Sequence, residues 1–219
     1  MCGRFALTHI VGLPVRFLLQ SFDLDFKPRY NIAPTQEVPI VVRESPNRAV
    51  MMRWGLVPFW AKDPKIGNKM INARAETVQT KPAFRASLKR RRCIVPATGF
   101  FEWKRAKDGK IPHFIKMKDD SFFGFAGLYD RWKAPEGSTL VSFTIITTQS
   151  NAVMSKIHDR MPVILEPENE DMWLGNQPLD ADQLSSVLRP FPARLMEAYE
   201  VSTAVNNPTN DFEDIIKPI

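Results

Sequence analysis

The sequence is poor in the residues that build metal and disulfide sites. It holds two cysteines and three histidines. Two thiols cannot make a disulfide framework, so the cytoplasm is the expected compartment, at the nucleoid if the source is bacterial. Cys2, Cys93, His9, His113 and His158 show no paired ligand spacing, and neither a metal nor another cofactor is expected. Glycine is scarce, and there is neither a glycine-rich phosphate loop nor a G-x-S-x-G elbow, which argues against P-loop nucleotide chemistry and a hydrolase serine. No apolar run reaches the ~18 residues of a membrane span. Met1-Cys2-Gly3-Arg4-Phe5 lacks the basic and apolar stretches of a secretory signal. Repeats, low-complexity tracts and Gly/Ser linkers are missing too. A single domain over residues 1–219, acting as a monomer away from membranes, is the simplest expectation.

What remains is a globular composition, 44% hydrophobic. Thirty basic against twenty-four acidic residues give a net charge of +6, compatible with a polyanionic partner without demanding one. Prolines are spread throughout and imply many turns.

Pro14 suits a first helical turn, and Val15, Leu18, Leu19 and Phe22 recur at helical spacing, which predicts a helix over 14–22. Short runs rich in Val, Ile and Phe, bounded by Pro, Gly or Asp, predict strands over 38–43, 49–54, 93–97, 99–104, 113–118, 122–129, 140–147 and 161–165. Helices return over 168–174 and 182–188, the latter with Leu184, Val187 and Leu188 on one face. Successive short strands with peripheral helices define an α+β fold with mainly antiparallel pairing.

Cys2 is the first residue with chemistry to offer. Methionine is removed readily before a small residue, and the product would carry a thiol and an α-amine together. Their reference pKa values, roughly 8.5 and 7.7–8.0, make both partly nucleophilic near neutrality. Such a 1,2-aminothiol closes a thiazolidine ring on an aldehyde, or its thiol attacks an amide. Taken alone, position 2 reads more simply as an inert chain terminus.

Glu102 lies in Gly99-Phe100-Phe101-Glu102-Trp103-Lys104. In a strand, Phe101 and Trp103 share one face and Phe100, Glu102 and Lys104 the other. A carboxylate among aromatics is a candidate for acid/base work if desolvated, and otherwise a solvated ion pair. His158, in Ile157-His158-Asp159-Arg160-Met161-Pro162, suits proton transfer near neutrality, with a structural role as the alternative. Asn72, Arg74 and Glu76 alternate along an extended segment, where the amide could orient a hydroxyl and the arginine fork onto phosphate. Lys89-Arg90-Arg91-Arg92 reads as a solvated face, Arg4, Arg29 and Arg53 add scattered charge, and Trp54, Phe59, Trp60 and Trp103 are candidates to stack on bases or to fill the core.

In order along the chain, Met1-Cys2-Gly3-Arg4-Phe5, Arg29-Tyr30-Asn31-Ile32-Ala33-Pro34-Thr35, Trp54-Gly55-Leu56-Val57-Pro58, Ile71-Asn72-Ala73-Arg74-Ala75-Glu76-Thr77, Arg91-Arg92-Cys93-Ile94-Val95-Pro96-Ala97, Gly99-Phe100-Phe101-Glu102-Trp103 and Ile157-His158-Asp159-Arg160-Met161-Pro162 resemble the SRAP family of SOS-response-associated peptidases, or abasic-site processing proteins. The resemblance implies a barrel-like β core with peripheral helices and a groove for single-stranded DNA containing abasic sites. It implies that Cys2 crosslinks to the opened sugar, Asn72 positions that sugar, Glu102 assists proton transfer, and His158 acts in ring opening or release. Arg4, Arg74 and Thr147 would hold phosphates. Pro34, Phe59, Trp60 and Trp103 would shape the base-excluding surface, with Phe59 standing where some members have tryptophan. A cysteine peptidase that removes its own Met1, and a non-catalytic single-strand binder, remain alternatives.

Overall fold

The computed structural model describes residues 2–44 and 46–219. Thirteen strands are β1 Arg4–Leu7, β2 Arg29–Ile32, β3 Glu37–Val42, β4 Arg48–Trp54, β5 Asn72–Arg74, β6 Arg92–Ala97, β7 Gly99–Ala106, β8 Gly109–Met117, β9 Phe123–Lys133, β10 Thr139–Gln149, β11 Arg160–Pro162, β12 Ile164–Leu165 and β13 Met196–Glu200. Among the described residues, four short α-helices are α1 Leu13–Arg16, α2 Arg85–Arg90, α3 Pro167–Leu174 and α4 Ala181–Val187.

Strands β10, β4, β3, β6 and β9 pair in that order, and β9 pairs back onto β10, closing a five-stranded barrel. Pairing is antiparallel except where β10 runs parallel to β4 and β5. The fold is therefore α+β with a closed β core, as the sequence and the resemblance led us to expect. A second antiparallel sheet, ordered β13-β8-β7-β1-β2, lies against the barrel. Side-chain alternation decides what each of its faces meets. Phe5 and Phe100 point to the barrel, where Phe5 packs edge-on to Trp54 at 5.1 Å and to Phe125 at 6.0 Å. Ala6, Phe101 and Phe114 point the other way, under Val201, Val205 and Ile215. Gly99 permits this layering, because a β-carbon there would sit 2.0 Å from the Phe114 ring.

The eight expected strands are all present, though 161–165 divides at Val163 into β11 and β12. The expected helix over 14–22 forms only as the single turn α1, which ends at Arg16, and Leu18 takes a left-handed backbone with φ 52°. The apolar spacing was misleading, since Val15 and Leu18 are exposed while Leu13 and Phe17 enter the core. Trp54 is fully buried, its indole N–H donating to Ile71 O at 2.9 Å, and so has no face to offer a base. Among the described residues, no helix is long and apolar enough to cross a membrane.

Candidate active site

Cys2 enters the main core immediately before β1 and is completely buried. Strand β1 pairs with β7 through Arg4 opposite Phe101 and Phe5 opposite Phe100. Extending that register by one residue sets Gly3 opposite Glu102. Glu102 is only 4% exposed, at the barrel-facing side of β7. Burial first, and then the charge of Glu102, push the Cys2 thiol up to about 12. The thiol is therefore neutral at physiological pH, with Arg4 O as its acceptor at 3.8 Å. The Met1 removal expected from the sequence lies outside the described residues.

The thiol shift carries a sign for stability. Its ordinary value is 9.0 and its folded value is about 12. Stability from the protonated thiol is complete below about pH 9 and is lost as pH rises toward about 12, because the unfolded chain ionises first. In urea titrations, wild type is expected to lose stability above pH 9 more steeply than Cys2→Ala. Parallel curves would show that the burial of this thiol is not coupled to its protonation.

Arg4 fixes the strand that follows Cys2. Its Nη1 donates to Asn31 Oδ1 at 2.7 Å and to Val205 O at 2.8 Å, and burial lowers its pKa. The guanidinium carbon lies 6.0 Å from the centre of Trp103, whose indole N–H donates to Asn206 Oδ1 at 2.8 Å. Asn31, fully buried, donates through Nδ2 to the carbonyls of Val205, Asn207 and Asn210. Asp211 in turn accepts from the backbone N–H groups of Tyr30 and Asn31 and pairs with Arg29. Residues 205–211 thus hold the start of β1 and β2 in place.

A second group gathers around β5 and the adjoining end of β10. Asn72 and Arg74 lie beside Ile145 and Thr147. Arg74 is exposed. Asn72 spends its amide N–H on Ile71 O at 3.0 Å, whereas its Oδ1 is buried with no hydrogen-bond partner among the described residues. A buried acceptor left in that state costs about 1–3 kcal/mol, so it marks a place where a ligand donor would be stabilised. Thr147 is fully buried, with its hydroxyl between Ala73 O and Arg160. Arg160 forks onto Glu76 at 2.6 and 3.0 Å. His158 Nδ1 accepts the Arg160 backbone N–H over 3.0 Å and lies 2.8 Å from the exposed Asp159 carboxylate.

His158 and Trp103 line one concavity of about 590 Å³ together with Lys104, Arg105 and Lys156. No groove role for those three cations was apparent from the sequence. Strand β7 alternation alone makes Lys104 a candidate, while Lys156 needs the turn before β11. Pro34 sits half-buried in the turn between β2 and β3. Trp60 is exposed, and neighbouring Phe59 lines a separate concavity beside α2.

A barrel backed by a small sheet, with a buried N-terminal-region thiol beside a buried carboxylate, defines the class of molecule. The family model described as SOS response associated peptidase (SRAP) matches residues 1–208, and the chain belongs to that family. It is 49% identical over 222 residues to "Abasic site processing protein YoqW" of Bacillus subtilis (strain 168), with 99% of each chain covered. It is 33% identical over 227 residues to "Abasic site processing protein HMCES" of Gallus gallus, covering 89% of this chain and 67% of that one. A crystal structure of a Bacteroides thetaiotaomicron protein matches over the whole of both chains with a TM-score of 0.91 and 31% identity.

Proposed function

We infer that the protein processes abasic sites in single-stranded DNA by joining Cys2, freed of Met1, to the ring-opened sugar aldehyde. The observation that carries this reading is the buried Cys2 at the head of β1, where the β1–β7 register sets its neighbour Gly3 opposite the buried Glu102. Family membership and the printed names of the relatives support it.

The chemistry balances without an added reactant. The α-amine attacks the aldehyde carbon, and loss of one water gives a C=N bond. The thiol then adds across that bond, forming C–S while its proton passes to nitrogen. The product is a thiazolidine. The thiol gives up its proton as it adds, and a protonated C=N bond is a far stronger electrophile than an amide, so a weakly acidic thiol suffices for this step. Glu102 carries protons between these centres. Asn72 Oδ1 accepts from a sugar hydroxyl, which supplies the partner it lacks. His158, held by Arg160, exchanges a proton with the sugar during opening or release. Arg74 takes the phosphate. Arg4 and Thr147, whose polar groups are already engaged, fix the floor beneath the strand. Trp103, Pro34 and Trp60 exclude stacked bases.

A peptidase reading has less support, because a buried thiol near 12 is a weak nucleophile toward an amide. Turnover of a peptide in the absence of DNA would favour it.

Intact mass after incubation with an abasic oligonucleotide tests the main reading. The expected product is the protein without Met1 plus the strand, less one water. An unchanged protein mass, or the same shift with an undamaged strand, would exclude it. Arg74→Ala is expected to weaken noncovalent binding and to flatten its log–log salt dependence by about 0.7, the single-strand value for one phosphate. An unaltered slope would remove Arg74 from the groove.

A further inference from the structure

The basic run 89–92 does not behave as one solvated face. Arg92 is only 4% exposed and donates to Trp173 O at 2.6 Å, Leu88 O at 2.9 Å and Gln177 O at 2.8 Å. Arg91 pairs with Asp130 at 3.2 Å. Lys89 and Arg90 remain exposed on α2, as does Arg85 one turn earlier. Among the described residues, none of these three has an ion pair.

They nevertheless border a single hollow. With Arg91 and Phe59 they line a concavity of about 500 Å³, and it shares no residue with the groove of Trp103 and His158. Phe59 is 58% exposed. Buried Asp130 links the two halves, accepting the Phe59 backbone N–H at 3.0 Å and pairing with Arg91 at the end of α2. One carboxylate therefore sets the distance from an exposed aromatic ring to a ridge of uncompensated cations.

Three like charges around a hollow repel one another and are stabilised by an anion with several charges. The exposed ring adds a preference for a flat group between those charges. A single DNA strand offers both, with phosphates for Arg85, Lys89 and Arg90 and a base for Phe59. An acidic peptide would satisfy the charges and leave the ring without a regular partner. We propose that this shelf is a second strand-binding subsite, which grips the backbone flanking the abasic nucleotide. It rests on the DNA-processing reading above but requires no covalent step.

Undamaged fluorescent oligonucleotides of about 5 and about 15 nucleotides, titrated by anisotropy over a range of NaCl, separate the two sites, since they lie near the short and long ends of the roughly 4–16 nucleotides that one strand-binding site spans. The triple variant Arg85→Glu, Lys89→Glu, Arg90→Glu is expected to bind the longer strand at least about tenfold more weakly, with a log–log salt slope shallower by about 2, as three phosphates would give. Binding of the shorter strand and crosslinking of a short abasic strand should be unchanged. Phe59→Ala should weaken the longer strand while keeping the slope. Equal losses on both lengths, or no loss on either, would overturn the proposal. So would displacement of the longer strand by an equally charged poly-glutamate at the same concentration as unlabelled DNA. If the triple Glu variant fails to fold, the Gln triple variant gives the same comparison. Failure of wild type to crosslink any abasic strand would strike the covalent reading alone, since the anisotropy result stands without it.

Discussion

Cys2→Ala is expected to abolish the adduct that survives denaturation, while circular dichroism and the melting temperature show a folded protein. A non-removable extension before Cys2 should do the same, because it masks the amine. Borohydride separates the two chemical steps. It reduces a C=N bond and has nothing to reduce in a closed thiazolidine. Wild type should give its stable adduct without reduction. Cys2→Ser keeps the amine but closes the analogous ring less favourably, so it should need borohydride to be trapped, and some strands should be cleaved by elimination. A wild-type adduct that also depends on borohydride would mean that the thiol closes no ring, and that the protein is an amine-based abasic-site lyase.

Glu102→Gln should slow crosslinking by about 100-fold, at the lower end of what a positioned acid/base group contributes. DNA affinity should change far less, since the side chain keeps its shape and lies beneath the surface. An opposing effect distinguishes proton transfer from simple tuning of the thiol. The Glu102 charge raises the Cys2 pKa, so its removal lowers that pKa and should make the thiol alkylate faster at alkaline pH. Slower crosslinking with faster alkylation is the signature of a lost proton carrier. If both reactions accelerate, Glu102 merely restrains the thiol.

The central strands could be read from the sequence because they are bounded by turn residues and bury nearly everything between them, as in β6 and the first half of β9. Strands β1, β2 and β5 escaped because three or four residues give no period, and their pairing depends on partners far along the chain. The helix over 14–22 was a false positive for a related reason. Val15, Leu18, Leu19 and Phe22 recur at helical spacing, but the left-handed Leu18 and the core placement of Phe17 are set by contacts the local pattern does not contain. For the site, alternation along β7 correctly separates Glu102 from Trp103. It says nothing of what covers the Trp103 face, which is supplied by residues 201–215. The basic run misled in the opposite way, because composition cannot tell the buried Arg92 from the exposed Arg90.

The anchoring of β1 by residues 205–211 has a consequence for the order of events during synthesis. Cys2 leaves the ribosome some two hundred residues ahead of Val205, Asn207 and Asp211, the groups that fix its strand. Until they emerge, Arg4 and Asn31 have no carbonyls to hold and Asp211 is missing from the backbone of β2. A nascent chain therefore carries Cys2 while the contacts that hold its strand are still unbuilt. The thiol gains its place beside Glu102 only when the two ends of the chain meet.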